Sequence, residues 1–300
     1  LETTREVGYV GLGQMGGAIA ERLLRPGIRL HVHDASARAI ARFEARGAVP
    51  HPSARSVADS ADIVFACLPH PDASLAVALG ADGVAAGRRA RIYADMSTLG
   101  TETMERLARE LAASGITALD APVTGGPPAA REGRLTLLVA GPDAAVDQAR
   151  PLLQAMGGAV HVIGPRAGMA QLMKVVNNIV MASNMAVACE GLSLGAKGGL
   201  DVGMMLEVLA QGTGQSFAAN HILSRAVQGD YDFGAALAIV EKDTRLGGRE
   251  AELLEVDLPL ISLAARAWTQ ALESVGGAPD FTHLLDFYEA RAGLRIAQGG

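Results

Sequence analysis

The chain has 300 residues, 49% hydrophobic and 19% charged, so it can build cores for two domains and is not a disordered polymer. A formal net charge of −6 argues against nucleic acid as the main partner and leaves anionic small molecules to a local site. Two cysteines, Cys67 and Cys189, make no disulfide framework, and Cys67 inside "DIVFACLP" reads as buried core.

The opening "LETTREVGYV" has no apolar signal-peptide run, and its lack of Met suggests a processed or trimmed N-terminus. The longest apolar stretches are broken by polar residues well before the roughly 20 needed to span a bilayer. The expectation is a soluble cytoplasmic protein with no membrane partner.

From residue 7 to about 163, short apolar strands alternate with amphipathic helices. Strand "VGYVG" leads into helix "QMGGAIAERLLR", which stops at Pro26-Gly27. Then come strand "IRLHVHD", helix "SARAIARFEARG", strand "DIVFACLP" and helix "PDASLAVALG". Strand "ARIYADMS", helix "TETMERLARELAASG" and strands "ITALDAPV" and "RLTLLVAG" follow, then helix "PDAAVDQARPLLQAMG" and strand "AVHVIG". This alternation predicts an α/β, doubly wound, mostly parallel sheet of the Rossmann type.

After Gly168 helical periodicity takes over and no alternating strand recurs, which predicts an all-α C-terminal domain. The boundary falls at "GPRAG", with residues 1–165 as the dinucleotide-binding domain and 166–300 as the substrate and oligomerisation domain. No internal repeat is visible, and the only low-complexity hint is the glycine-rich C-terminal end.

Strand one runs into Gly11-x-Gly13-x-x-Gly16 and then a helix. The first glycine permits a tight turn, the second admits a pyrophosphate to the backbone, and the third lets helix and strand pack closely. The helix start adds N–H groups and a positive dipole end for phosphate. Asp34, at the end of "HVHD" and roughly 20 residues on, stands where an acid would accept ribose hydroxyls. Asp34 favours NAD over NADP by repelling a 2′-phosphate, a preference that nearby Arg38 softens. His31, His33 and Asp34 lack a second His/Cys cluster, so no metal is expected.

In "GMAQLMKVVNNIVMASNMA", residues 168–186, an ammonium group is set into an apolar helix, where an unpaired buried charge is costly. Either Lys174 snorkels to water or it faces a site that uses it. Lys174 and Asn178 are one turn apart on one face, which Gln171 and Met181 extend, leaving Leu172, Val175, Val176 and Ile179 for packing. "DAPVTGG", residues 120–126, places Thr124, Gly125 and Gly126 in a loop able to offer a hydroxyl and open N–H groups to a carboxylate.

Together "GLGQMG", "DAPVTGG", "GMAQLMKVVNN" and "EKDTRL" resemble, in order and spacing, the β-hydroxyacid dehydrogenases, the family of 3-hydroxyisobutyrate dehydrogenase and tartronate semialdehyde reductase. The resemblance covers nearly the whole chain. It implies a nicotinamide-dependent oxidoreductase acting on a small β-hydroxy acid or its semialdehyde, and a homodimer or homotetramer. By position, Lys174 matches the catalytic lysine and Asn178 the substrate-orienting asparagine. Thr124, Gly125 and Gly126 match the carboxylate-holding loop, with Thr where Ser is usual, so that an extra methyl narrows the pocket. Lys242 matches a second-domain lysine that reaches cofactor or substrate. Gly11, Leu12, Gly13, Gln14, Met15, Gly16 and Asp34 match the dinucleotide site, and Leu68, Pro69, Ser97 and Thr98 the loops beside the nicotinamide.

The expected reaction is reversible hydride transfer, with Lys174 giving a proton in reduction and taking one in oxidation. As a base near neutrality it must sit below the ordinary lysine range. Desolvation or a neighbouring cation such as Lys242 acts in that direction, and a substrate carboxylate acts against it. A non-catalytic nicotinamide-binding module and an imine-reductase-like enzyme are the alternatives, and the presence of Lys174 disfavours both. Decarboxylating oxidation of a phosphorylated sugar acid would need a basic cluster that is not visible. Residues 211–217, "QGTGQSF", are expected near the substrate's far end without specifying its substituent.

Overall fold

A computed structural model of the chain describes residues 4–297, so residues 1–3 and the glycine-rich C-terminal end lie outside it. The chain divides into two compact units, Leu1–Lys174 and Val175–Gly300.

The first unit is built on a nine-stranded sheet. Its strands are β1 (Arg5–Val10), β2 (Ile28–His33), β3 (Val49–Pro50), β4 (Ile63–Ala66), β5 (Ile92–Asp95), β6 (Thr117–Asp120), β7 (Val123–Thr124), β8 (Thr136–Ala140) and β9 (Ala159–Gly164). The order is β3-β2-β1-β4-β5-β6-β8-β7, with β9 pairing β8. Pairing is parallel from β3 through β6. β8 runs antiparallel to β6 and β7 and parallel to β9. Successive residues of one strand feed two separate cores: Phe65 joins Tyr9, Ile19 and Phe43, while Val64 and Ala66 join Val57, Tyr93 and Leu107. This period-two division is why the central strands read as near-continuous apolar runs.

The helices of this unit are α1 (Gln14–Ala20), α2 (Ala37–Glu44), α3 (Ala54–Ala58), α4 (Pro71–Leu79), α5 (Thr101–Ala113), α6 (Gly126–Glu132) and α7 (Asp143–Met156). The stretch read as one strand, "ITALDAPV", is divided into β6 and β7, and Thr124, expected in a loop, ends β7. Three further elements were not expected from the sequence. β3 has two residues and α3 only five, too short for a periodic signal, although Ser53 and Ser56 form a capping box at the start of α3. α6 begins at Gly126, inside the stretch read as a glycine turn, and Pro127 at its start fits the fixed proline φ.

Helix α8 (Met169–Lys197) begins in the first unit and continues into the second. Among the described residues it is long and apolar enough to cross a membrane, against the expectation that polar residues break every such run. Its Ala182, Met185, Ala186, Cys189 and Leu192 belong to the core of the second unit, which is the place of a packed core helix. Val175 and Ile179 are buried as expected, but Val176 lies on the outer side and is exposed. Gln171 does not extend an open face: it is completely buried.

The second unit continues with α9 (Val202–Gln211), a π-helical segment Ala218–Leu223 running into α10 (Ser224–Val227), α11 (Leu237–Leu253), α12 (Pro259–Val275) and α13 (Leu284–Ala292). Among the described residues it has no strand, only a single bridge between Ala236 and Asp280. Its core surrounds Trp268, which is fully buried and donates its indole N–H to the Ala182 carbonyl at 3.1 Å.

Candidate active site

The parallel strands of the first unit end on one edge of the sheet, and the glycine loop, Asp34, Leu68, Pro69, Ser97 and Thr98 follow those strand ends. After β1, Gly11 adopts φ +93°, and a side chain there would strike the Cys67 carbonyl. A Cβ on Gly16 would overlap the Gly11 carbonyl, so the start of α1 touches the turn directly. Both glycines are required by the protein's own packing. Gly13 is not: among the described residues, and apart from its immediate chain neighbours, nothing packs within 4 Å of the place its Cβ would occupy. The backbone there is open on the side where a pyrophosphate would approach the start of α1, which is the fit a dinucleotide requires.

The Leu12 side chain is buried in the core, so this residue can meet a ligand only through its backbone. Its N–H donates to Asp34 Oδ2 at 2.6 Å, and Ser36 N–H donates to Asp34 Oδ1 at 2.7 Å. Each carboxylate oxygen keeps a lone pair for a ribose hydroxyl. Gln14 is exposed at the start of α1, and Met15 is half-buried against the core. Arg42 donates to the Leu12 carbonyl at 3.2 Å, whereas Arg38 is exposed. His31 is buried and engaged with Glu6 at 2.6 Å and His51 at 2.8 Å.

After β4, Cys67 is half-buried at the strand end, where full burial was expected, because β4 stops at Ala66 and the chain turns outward. Leu68 is half-buried and Pro69 exposed. The Ser97 hydroxyl accepts the Leu68 N–H at 2.8 Å and is buried, so this side chain ties the loops after β4 and β5 together. Thr98, its neighbour, is half-buried.

Beneath these loops lie Asp95 and Asp120, paired in register at the ends of β5 and β6 and both fully buried. Asp95 accepts the Tyr93 hydroxyl at 2.8 Å and the Ser97 N–H at 2.9 Å. Burial raises its pKa despite those donors, and burial pushes Asp120 up to about 7.

Thr124 closes β7 and is half-buried. Gly125 is exposed with φ +127°, a conformation a side chain would strain, and Gly126 opens α6. Pro127 and Pro128 follow and carry no N–H. Backbone N–H groups in this turn therefore come from Thr124, Gly125 and Gly126, and the next two residues supply no further donor.

Lys174 is half-buried in the second turn of α8. One turn on, in the second unit, Asn178 is buried and donates from Nδ2 to Asp243 Oδ2 at 2.5 Å, while its Oδ1 accepts from Asn177 at 3.0 Å. The Lys242 ammonium stands 3.1 Å from Asp243 Oδ1 with its side chain 15% exposed. Asp243 thus joins the two residues that the sequence proposed on this side, Asn178 and Lys242.

A family model described as the NAD binding domain of 6-phosphogluconate dehydrogenase matches residues 6–164. A second, described as the NAD-binding of NADP-dependent 3-hydroxyisobutyrate dehydrogenase, matches residues 168–288. The chain belongs to the β-hydroxyacid dehydrogenase family. This β-hydroxyacid dehydrogenase is a nicotinamide-dependent oxidoreductase acting on small hydroxy acids. It is 34% identical to the 3-hydroxyisobutyrate dehydrogenase of Pseudomonas aeruginosa, over 86% of this chain and 89% of that one. It is 29% identical to the 2-(hydroxymethyl)glutarate dehydrogenase of Eubacterium barkeri across 100% of both. Among solved structures it resembles Psf3 in complex with NADP+ and 2-OPP, with a TM-score of 0.86 and 30% identity over 94% of this chain and 99% of that one.

Sequence reasoning passed over Asp243 and Asp120, both inside quoted motifs, and gave Gln171 to an open face. Another signal was available in composition. Of the 26 basic residues in this β-hydroxyacid dehydrogenase only three are lysines, Lys174, Lys197 and Lys242, and two of them are candidate site residues.

Two outcomes are expected. Gly13→Ala should keep the native melting temperature but bind dinucleotide about tenfold more weakly, a loss of about 1.4 kcal/mol, whereas Gly16→Ala should lower the melting temperature itself; calorimetric titration and thermal melts distinguish them. Asp120 has a folded pKa near 7, above its unfolded value, so its stabilising contribution is present at low pH and is lost as pH rises through 7. The fall in melting temperature between pH 5 and pH 8 should therefore be larger in the native protein than in Asp120→Asn.

Proposed function

We propose that this dehydrogenase interconverts a small β-hydroxy acid and the corresponding semialdehyde, prefers NAD to NADP, and uses Lys174 as the general acid and base. The observation that carries the reading is the placement of Lys174. It stands in the second turn of a helix whose start is anchored at the ends of β5 and β6, in the same unit as the glycine loop and the Thr124 turn.

Residues 1–165 are read as the dinucleotide-binding domain and residues 166–300 as the substrate and oligomerisation domain. When bound, the nicotinamide donates or accepts the hydride. The chain's own residues do the rest. Gly13 admits the pyrophosphate, and Gly11, Leu12, Gln14, Met15 and Gly16 complete that turn. Asp34 accepts ribose hydroxyls, and its charge opposes a 2′-phosphate, which is the basis of the NAD preference. Leu68 and Pro69 border the nicotinamide side, and Ser97 and Thr98 set the neighbouring loop. Thr124, Gly125 and Gly126 hold the substrate carboxylate through a hydroxyl and two N–H groups. Lys174, as ammonium, stabilises negative charge growing on the substrate oxygen and transfers a proton to it; as amine, it removes the hydroxyl proton in the reverse direction. Asn178 orients the substrate, with its amide fixed by Asp243. Lys242 adds positive charge on the same side.

The assembly is read as a homodimer or homotetramer of the cytoplasm, with no nucleic-acid or membrane partner. Its support is the outer face of α8, where Val180, Val187 and Leu194 recur every seven residues and the last two are 66% and 78% exposed. Apolar residues at that spacing form the seam of packed helices.

A panel of 3-hydroxy acids assayed with NAD and NADP in parallel tests the activity, with a higher kcat/KM for NAD expected. Lys174→Ala should reduce kcat by about a thousandfold while leaving NAD affinity within about twofold. Near-native kcat in that variant would end the assignment. Light scattering on Val187→Glu/Leu194→Glu should show a smaller assembly than the native protein.

A further inference from the structure

We propose that Gln171 is a positioning residue for the chemical step, holding the first turn of α8 to the strand ends so that Lys174 stands where the reaction needs it. The inference rests on the assignment of Lys174 given above.

The Gln171 side chain is fully buried and every hydrogen-bonding position of its amide is used. Nε2 donates to the Ser97 carbonyl at 3.0 Å and to Asp120 Oδ1 at 2.9 Å. Oε1 accepts the Leu99 N–H at 2.8 Å and the Gly100 N–H at 3.3 Å. Turning the amide over would set its oxygen against a carbonyl and a carboxylate, so the orientation is fixed by its surroundings. Asp120 completes the arrangement: its Oδ2 accepts the Gly168 N–H at 3.0 Å and the Gln171 N–H at 2.9 Å.

These two N–H groups belong to the opening turn of a helix, where no intrahelical acceptor exists. Helices commonly satisfy them with a local serine or aspartate, which leaves the helix unanchored to anything else. Here the acceptor comes from β6, and the Gln171 amide adds a second tie to the loop after β5. The first turn of α8 is therefore registered against two strands and not merely capped. Lys174 lies three residues, about 4.5 Å, further along the axis. A displacement of about 1 Å at the reacting atoms can cost about a hundredfold in rate.

Packing alone does not account for glutamine here. Methionine fills a similar volume, whereas a buried amide contributes only when all four partners are supplied. Those partners come from the loop after β5 and from Asp120 at the end of β6; Asp95 is paired in register with Asp120, and Glu105 of α5 lies against Gly168 at the start of α8.

The test uses the full-length enzyme and compares Gln171→Glu, Gln171→Met and the double variant Gln171→Glu/Asp120→Asn with Lys174→Ala. Readouts are NAD affinity, kcat and KM for the best substrate of the hydroxy-acid panel, and kcat from pH 6 to pH 8. Gln171→Glu keeps the acceptor for Leu99 and Gly100 but replaces a donor with a carboxylate facing Asp120. Its kcat should fall at least about tenfold with NAD affinity within about threefold, and the deficit should narrow toward pH 6, where a protonated carboxyl regains the donor. Gln171→Met should show the fall in kcat without that pH dependence. The double variant exchanges donor and acceptor between the two positions and should recover part of the lost kcat. Gln171 variants that fold and keep near-native kcat, while Lys174→Ala collapses, overturn this inference alone. An equal loss of NAD affinity and kcat in them also overturns it, since that is what general destabilisation produces. Near-native kcat in Lys174→Ala overturns the Lys174 assignment and this inference with it.

Discussion

Parallel pairing of β1, β2, β4, β5 and β6 sends every one of their carboxyl ends to the same edge of the sheet. The turns that follow must therefore share a small volume, and their backbones approach closely. Gly11 and Gly16 exist because the strand end, the turn and the helix start compete for that volume. Ser97 spans from one turn to the next, and Asp120 reaches from β6 to the opening of α8. Polar groups so crowded are shut off from water, and a buried group without its partner costs about 1–3 kcal/mol. The observed bonds of Asp95, Ser97, Asp120 and Gln171 meet that demand.

The two units handle ionisable groups differently. In the first, Asp95 and Asp120 are buried among neutral donors, and desolvation outweighs those donors and raises both. In the second, Asp243 lies beside the Lys242 ammonium. There the Asp243 carboxylate accepts from the Asn178 amide beside that cation, whereas burial pushes Asp120 up to about 7.

The alternation of strands and helices was readable because central parallel strands are apolar on both faces and their helices on one. "IVFA" and "IYAD" announce themselves, and so does the switch to helical periodicity after Gly168. β3 and α3 were not readable because two and five residues carry no period. α6 was hidden by "GGPP", whose residues favour turns until the first helical turn is recognised as the place where prolines fit. Lys174 and Asn178 could be paired because helix spacing alone puts them on one face. Gln171 was assigned to that face by the same arithmetic, but three residues make about 300° of rotation, enough to carry a side chain into the core. Asp120, which meets Gln171, and Asp243, which meets Asn178, lie 51 and 65 positions away, distances over which local patterning has no reach.

The three lysine amines differ sharply in access: Lys197 is exposed, Lys174 is half-buried, and the Lys242 side chain is 15% exposed beside a carboxylate. The surface is otherwise cationic through arginine, which amine-selective acylating reagents leave alone. Apart from the chain terminus, such a reagent meets Lys197 first and the two sheltered amines later. The order of mass increments then becomes a direct gauge of how far each amine is sheltered from solvent, without any engineered label.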